Sequence, residues 1–408
     1  MGFGKVLREK CPAIRFLVEA QKTVWYPILF AVICTISGSF DRFVYIPLIT
    51  LLCCFVLFSI LFTDDNKVFI VPMLMIYYSL GRDNVKATPG VGDDLLTSSF
   101  DEGAFVFIIA CGVIVTAAFI ARLIADGTFA SAFKKRRVGA IGIIALDVAL
   151  MLNGAFNPSY TPMNILYGFI IAVTFTLFYF ATSGILENSK DFVCYACKSM
   201  LATAYVALSQ FGILVFRLWQ NGKLVMLDGN GVFIGLNRYK FILSWGLSTQ
   251  IAGVFILGVA AAFYLARNCK WSVFSYVSAV LLVLGTVVIN TRSAMLVGAV
   301  AFIVGAVLCC LKNKQHKRNA LYCRILFALT AIAGGFVIFK LLSTTNMFEK
   351  LLDILRLGNY DNSSRTKLWA EGFADFLSRP VFGVGFDTGS NISNNVFAVY
   401  THFTFRCV

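Results

Sequence analysis

The sequence has little charge and almost no histidine. Only 14% of its 408 residues are Asp, Glu, Lys or Arg, whereas 59% are hydrophobic, and it contains two histidines. Soluble globular domains contain about 25% charged residues. The shortage of charge therefore excludes an ordinary soluble protein and indicates a chain that crosses a membrane several times.

The sequence also lacks the patterns of a metal site, a nucleic-acid-binding face and a cleavable signal peptide. Cys194 and Cys197 form a CxxC with no second pair or histidine at zinc spacing. The net charge of +14 is not arranged as a basic face interleaved with aromatic residues, which excludes nucleic acid as a partner. Residues 1–23 are basic but have no short apolar core with a cleavage site. We therefore interpret them as a cytoplasmic tail and predict no metal and no cofactor.

What the sequence does have is a series of apolar runs long enough to cross a bilayer. A spanning helix needs about 20 residues, at 1.5 Å each, to cross about 30 Å of hydrocarbon. The pattern predicts an all-α transmembrane bundle of about 11 spans within residues 24–343, followed by a long extracytoplasmic loop, 344–408. The predicted spans are 24–40, 43–62, 67–81, 104–125, 138–156, 164–186, 201–219, 241–266, 272–290, 293–311 and 325–343.

Basic clusters orient these spans. The strongest are FKKRR at 133–137, RNCK at 267–270 and KNKQHKR at 312–318. The positive-inside rule places such clusters in the cytoplasm, and counting spans from a cytoplasmic N-terminus puts all three there. The same count assigns these segments to the outside: 82–103, 157–163, 220–240, 344–408 and the tight turn at 291–292.

The long outer loop has helical patterning of its own. Apolar residues within 347–358 recur at helical spacing, which predicts an amphipathic helix that ends at Gly358. Ser363 or Ser364 can cap a second helix, and Pro380 ends it. The apolar face of this second helix consists of Leu368, Trp369, Phe373, Phe376 and Leu377.

Arg292 is the single charge between Trp271 and Leu311. An arginine at the bilayer centre costs roughly 2.5–3.5 kcal/mol on insertion scales, and this run is about two spans long. The cheaper arrangement is two helices that turn at 290–293, with the arginine at the outer interface. Such an arginine can simply anchor a helix end. The turn has no acidic neighbour, however, so an anionic ligand can act as its counter-ion.

Two more residues share the predicted outer side with Arg292. Arg365 opens the second loop helix, where free amides and the helix dipole favour phosphate; the alternative is a solvated surface arginine. His402 can act as a general base near neutral pH, although a lone histidine is more often structural. Together the three residues predict an outward-facing basic pocket for an anionic substrate.

The order of three motifs in the last third of the chain, 271–402, resembles the O-antigen ligase and polymerase family. The motifs are the turn Thr291-Arg292-Ser293-Ala294, then Arg365 with Trp369, then Pro380 with Gly383 and Gly385. The resemblance implies an integral-membrane glycosyltransferase that takes a glycan from a polyprenyl diphosphate carrier. It would pass that glycan to an acceptor sugar on the outer leaflet without metal or nucleotide.

The resemblance also implies roles for individual residues. Arg292 and Arg365 would grip the diphosphate, and His402 would activate the acceptor hydroxyl, with Glu371 and Asp375 as alternative bases. The expected partners are a polyprenyl-diphosphate-linked oligosaccharide, an acceptor glycan or lipid, the bilayer, a flippase and a chain-length regulator. The expected location is the bacterial inner membrane, with the active face in the periplasm.

The sequence leaves three function classes open. A polymerase that joins lipid-linked repeats is the leading interpretation, and a ligase that transfers finished glycan is the second. A polysaccharide flippase or transporter is disfavoured, because few charges, Asp147 and Arg217 among them, intrude into the predicted spans. Family members usually continue past the histidine, which an asparagine follows. Here Phe403 follows His402 and the sequence ends at Val408, which we interpret as a C-terminal truncation.

Overall fold

In the computed structural model the helical class is confirmed. The structure describes residues 10–39, 42–63, 65–72, 84–87, 96–97, 102–135, 137–152, 169, 172, 176, 179–180, 191–225, 239–242, 248–269, 271–289, 292–311, 317–343, 373–374 and 377. The helices in these ranges are α1 Pro12–Gln21, α2 Trp25–Ser39, α3 Arg42–Phe62, α4 Glu102–Ala125, α5 Thr128–Lys135, α6 Arg137–Met151, α7 Phe192–Gln220, α8 Ser248–Asn268, α9 Ser272–Ile289, α10 Arg292–Cys310 and α11 Lys317–Ser343. A 3-10 helix, Asn66–Phe69, and three strands, β1 Asn84–Ala87, β2 Leu96–Thr97 and β3 Tyr239–Ile242, accompany them.

The predicted count of about 11 spans is not confirmed. Within the described ranges, four helical segments are long and apolar enough to cross a membrane: Phe192–Gln220, Ile251–Asn268, Ser272–Ile289 and Lys317–Phe336. A bent pair, Pro12–Gln21 with Trp25–Ile36 at 81°, adds a fifth if it is one span. The predicted spans 67–81 and 164–186 lie largely outside the described residues.

The three strands form a small antiparallel sheet in the order β2-β1-β3. Asn84 pairs with Ile242 and Ala87 with Tyr239, so the sheet joins two segments that are far apart in sequence. The sequence did not predict these strands, because two to four residues are too few for the alternation that identifies a strand. The predicted span 241–266 also began too early, since α8 begins at Ser248.

The chain divides into two compact units: Met1–Phe3, Thr116–Ser189 and Arg356–Val408 in the smaller, and Gly4–Val115 and Lys190–Leu355 in the larger. In the smaller unit Leu123, Ala140 and Phe180 form a buried core. Asp147 accepts a hydrogen bond there from the Thr176 hydroxyl. This contact explains how α6 carries a carboxylate within an apolar helix, because a paired polar group costs far less than an isolated one.

Helix α8 is the centre of the larger unit, where it contacts α7, α9, α10 and α11. Small residues let its neighbours approach closely. A methyl group on Gly258 of α8 would lie 2.6 Å from Cβ of Ala204 in α7. A methyl group on Gly285 of α9 would lie 2.8 Å from the ring of Phe255 in α8. Both distances are too short for carbon atoms, so these two interfaces require glycine.

The interface between α8 and α10 is the tightest of these contacts. A Cβ on Gly305 of α10 would overlap the ring of Phe263 in α8. That ring is 3% exposed and packs edge-on against Tyr276, at 5.4 Å between centroids, and Phe302, at 5.2 Å. The Cys309 thiol donates to the Phe263 carbonyl over 3.1 Å. Because Phe263 is held on several sides, α10 is fixed along α8.

Hydrogen bonds bring together the segments that the span count placed on the cytoplasmic side. The Tyr195 hydroxyl, at the start of α7, donates to the Gln21 carbonyl at the end of α1, over 3.0 Å. The Asn319 amide, at the start of α11, donates to the Cys269 carbonyl after α8, over 2.7 Å. The β1–β3 pairing joins two segments that the same count placed outside. The contacts therefore group these segments as the predicted topology does.

Topology can be tested with alkaline phosphatase, which is active only outside the cytoplasm. We expect a fusion after Lys223, past the end of α7, to be active and a fusion after Cys269 to be inactive. Green fluorescent protein at the same two positions provides the matched control, since it should fluoresce only after Cys269. The reverse pattern at both positions would contradict the predicted orientation.

The Gly305–Phe263 contact predicts a local destabilisation. Gly305→Ala should lower the free energy of unfolding by about 1–3 kcal/mol, because overpacking a close interface costs that much. Gly253→Ala in α8 is the control, since among the described residues no atom of another helix lies within 4 Å of its Cβ position and alanine favours a helix over glycine. Thermal midpoints in detergent measure both changes. Equal thermal midpoints for the two variants would show that the Phe263 ring can move to make room for the added methyl group.

Candidate functional site

Arg292 is the first residue of α10, and α9 ends three residues earlier at Ile289. The sequence predicted spans at 272–290 and 293–311 on length alone. The observed helices differ from those bounds by a single residue at their facing ends. The predicted helical hairpin is therefore confirmed, and it places Arg292 at a helix end instead of in the middle of a span.

The two arms of the hairpin are antiparallel and in contact. A Cβ on Gly298, near the start of α10, would lie 3.3 Å from the Thr286 hydroxyl near the end of α9. Further from the turn, the rings of Tyr276 and Phe302 are 6.1 Å apart. These contacts, at two levels of the hairpin, keep its arms side by side. The N-terminus of α10 is thus held at a fixed place beside the end of α9.

Buried hydroxyls anchor α9 to its neighbours. Tyr205 of α7 and Ser278 share a hydrogen bond of 2.7 Å, and the Tyr276 and Thr330 hydroxyls, on α9 and α11, lie 3.1 Å apart. Interhelical hydrogen bonds of this kind contribute about 0.6 kcal/mol each within membrane proteins. The buried polar residues of α9 are Ser272, Ser275, Ser278 and Thr286.

Sequence reasoning missed this polar face, although a signal was present. Ser272, Ser275 and Ser278 recur every three residues, which places them along one side of a helix. That spacing could have identified the side of α9 that faces protein instead of lipid.

The charge around Arg292 favours an anion. No aspartate or glutamate occurs in the sequence between Asp228 and Glu349, so neither hairpin arm supplies a carboxylate to neutralise the arginine. The N-terminus of a helix adds a partial positive charge of about half a unit, together with unpaired backbone amides. The arginine and the helix end therefore act in the same direction, and phosphate is the typical ligand of such an end.

The other four predicted site residues, Arg365, Glu371, Asp375 and His402, lie outside the described residues, and their roles stay predictions. The structure describes Phe373, Ala374 and Leu377 in that segment as helical. Phe373 and Leu377 are each 62% exposed, and both belong to the predicted apolar face of the second loop helix. The helical conformation of these residues agrees with the second loop helix that the spacing predicted.

Cys194 of the CxxC contacts a cysteine that lies outside the motif. In the part of the chain that the structure describes, no group of three or more His, Cys, Asp or Glu side chains could hold a metal ion. Cys194 lies against Cys269, with their sulfur atoms 3.0 Å apart. Their hydrogen bond, and then burial, raise the pKa of the Cys269 thiol well above its usual range.

Residues 277–404 match a family model described as O-antigen ligase. The match begins within α9, includes all of α10 and α11, and covers the five candidate site residues. This region is similar to the O-antigen ligase family. This confirms the resemblance inferred from the sequence motifs, and it supports a membrane protein that processes glycans, of the ligase or polymerase kind. No curated protein and no solved structure matches the chain.

Arg292 predicts a measurable loss of anion binding. Arg292→Ala should weaken binding of a short-chain prenyl diphosphate about 10- to 100-fold, because a charge-assisted hydrogen bond contributes about 1.5–3 kcal/mol. Arg292→Lys should recover little of this loss, since lysine lacks the two-pronged geometry that matches phosphate. Titration of the purified protein in detergent measures both.

Arg318→Ala is the matched control for this titration. Arg318 is an exposed arginine at the start of α11, at the opposite end of the bundle from Arg292, and it bonds to the Tyr322 hydroxyl over 3.3 Å. Its removal should leave binding unchanged. Equal affinities for Arg292→Ala and the unmodified protein would show that Arg292 only anchors its helix.

Proposed function

We propose that this protein is a membrane glycosyltransferase that joins polyprenyl-diphosphate-linked oligosaccharide repeats on the outer leaflet. The observation that carries the proposal is the position of Arg292 at the N-terminus of a tightly packed helix, inside the region that matches the O-antigen ligase family. A diphosphate is the anion that this family resemblance implies, and a cationic helix end suits it.

The chemistry requires stabilisation of a departing diphosphate. The acceptor hydroxyl oxygen forms a bond with the anomeric carbon of the donor sugar while the bond from that carbon to the diphosphate oxygen breaks. Negative charge develops on the diphosphate as it leaves. Arg292, joined by Arg365, would offset this charge. Only the part of that interaction that strengthens in the transition state accelerates the reaction.

The acceptor hydroxyl must lose its proton as it attacks. His402 would accept this proton, because an imidazole titrates near neutral pH. Glu371 and Asp375 are the alternative bases. In each case the proton leaves on the base and the electron pair of the broken bond leaves on the diphosphate, so no redox step is involved.

A rigid support for Arg292 suits this role. Groups that stabilise charge in a transition state are most effective when they are held in place before the reaction begins. The Gly305–Phe263 contact and the buried hydroxyls of α9 hold the hairpin on α8, α7 and α11. These contacts would preorganise the arginine at the outer end of the bundle.

Transfer of a finished glycan to an acceptor is the second candidate function. The matching family model is itself described as O-antigen ligase, which favours this alternative. Both reactions use the same donor and the same leaving group, so Arg292 would have the same role in each. They differ in the acceptor, which is a growing lipid-linked chain in one case and a separate glycan or lipid in the other. The flippase and the chain-length regulator stay proposed partners of the polymerase.

A gene deletion distinguishes the candidates on a polysaccharide gel. We expect the ladder of long chains to collapse to one repeat on its final anchor if the protein is a polymerase. Lipid-linked polymer without transfer would identify a ligase, and donor retained on the inner leaflet would identify a flippase. Complementation with the unmodified gene is the control that assigns the change to this protein.

The proposed base is tested in the same deletion strain. His402→Ala should reduce long-chain product by about 100-fold or more, which is the usual contribution of general base catalysis. His316→Ala is the matched control, because this second histidine lies in a cytoplasmic basic cluster and should retain the ladder. A normal ladder from His402→Ala would transfer the role to Glu371 or Asp375, whose amide variants are compared next.

A further inference from the structure

Two thiols from distant parts of the sequence meet at the end of the bundle opposite Arg292. Cys194 lies in the first turn of α7, and Cys269 follows the last residue of α8. Their sulfur atoms are 3.0 Å apart, whereas a disulfide bond is about 2.05 Å long. A movement of about 1 Å would therefore bring them to bonding distance. Both side chains are partly exposed, so a small reagent can reach them.

Neighbouring contacts hold both thiols in this position. The Tyr195 hydroxyl, next to Cys194 in the chain, donates to the Gln21 carbonyl over 3.0 Å. The Asn319 amide donates to the Cys269 carbonyl over 2.7 Å. Because the Tyr195 side chain beside Cys194 and the backbone carbonyl of Cys269 are both anchored, the sulfur atoms are kept close to each other.

The charges nearby favour chemistry at Cys194. Lys198 lies one turn further along α7 and is close enough to act on the thiol pair. Asp191 opposes it at Cys194, but more weakly. A cation stabilises a thiolate, which is the reactive form of cysteine. The raised pKa of Cys269 keeps that partner protonated. Cys194 is thus the thiol that reacts first.

We propose that Cys194 and Cys269 are a redox-active thiol pair that a peroxide converts into a disulfide between α7 and α8. The Cys194 thiolate attacks one oxygen of hydrogen peroxide and becomes a sulfenic acid. The O–O bond breaks, and the departing hydroxide takes up the proton that the thiol had lost and leaves as water. The Cys269 thiol then displaces the sulfenic oxygen as a second water and forms the S–S bond. The two cysteines lose two electrons, and the peroxide gains them. A cellular dithiol reverses the step by thiol–disulfide exchange and becomes a disulfide itself.

The proposed disulfide would restrain α8, the helix that supports α10. Phe263, which packs against Gly305, is six residues before Cys269 on α8. A disulfide at the end of α8 would tie it to α7 at the base of this contact. Oxidation would therefore stiffen the bundle at the end opposite Arg292, which is about 27 Å away along the 19 residues of α10.

Peptide mass analysis tests the pair directly. The purified full-length protein is treated with hydrogen peroxide, blocked with N-ethylmaleimide and digested with trypsin without reducing agent. The sequence predicts the tryptic peptides DFVCYACK, 191–198, and NCK, 268–270. We expect them to appear joined, with one N-ethylmaleimide on Cys197 and two hydrogen masses below the sum of the peptides labelled in that way, and fragmentation should place the bond on Cys194. Dithiothreitol should separate them.

Matched variants make the outcome specific. Cys194→Ser and Cys269→Ser should each abolish the joined product, while Cys197→Ser should retain it, because Cys197 lies on the same peptide but outside the proposed bond. Oxidation should also raise the thermal midpoint of the unmodified protein and leave that of Cys269→Ser unchanged. The proposal is overturned if both peptides stay fully alkylated after peroxide treatment, or if NCK joins Cys197 instead.

Discussion

Close contact between helices, in which a glycine on one helix faces a large side chain on the next, is the constraint on which the larger unit depends. A bilayer gives apolar helices no hydrophobic reason to associate, so van der Waals contact and a few hydrogen bonds must hold them. Helix α8 meets this need by placing Phe263 beneath Gly305 of α10 and Phe255 against Gly285 of α9. The position of Arg292 follows from these contacts, because α10 begins where the hairpin with α9 turns and is held along α8.

The elements that length and charge determine could be predicted from the sequence. The hairpin at 290–293 followed from a run of two span lengths with one arginine at its midpoint, and α9 and α10 have those bounds within one residue at the turn. The start of α8 could not be predicted in this way. Residues 241–242 are as apolar as a span but pair with β1, and strand pairing with a distant segment leaves no local periodicity.

The candidate site was predictable in part, because length and charge also determine where Arg292 lies. A lone arginine in an apolar run is visible in one sequence, and its place at a helix end follows from energetics. The thiol pair was not visible, because the CxxC drew attention to Cys197 while Cys194 contacts a residue 75 positions away. Contacts between helices depend on which side each helix turns to its neighbour. Apolar residues that face lipid cannot be distinguished in the sequence from apolar residues that face protein.

The distribution of polar contacts suggests how the two ends of the larger unit differ. At the end away from Arg292, the Gln21 amide donates to Ser59 over 2.8 Å, and Tyr26 shares that hydroxyl over 3.1 Å. In an apolar medium each such bond must be broken without replacement by water before the helices can separate. This end is therefore fastened by polar contacts as well as by packing. The proposed donor, a lipid-linked glycan, needs room at the other end, where α10 starts with a cation and the hairpin carries no carboxylate. Firm attachment at one end would allow the arginine to keep its place at the other while the proposed donor entered and left.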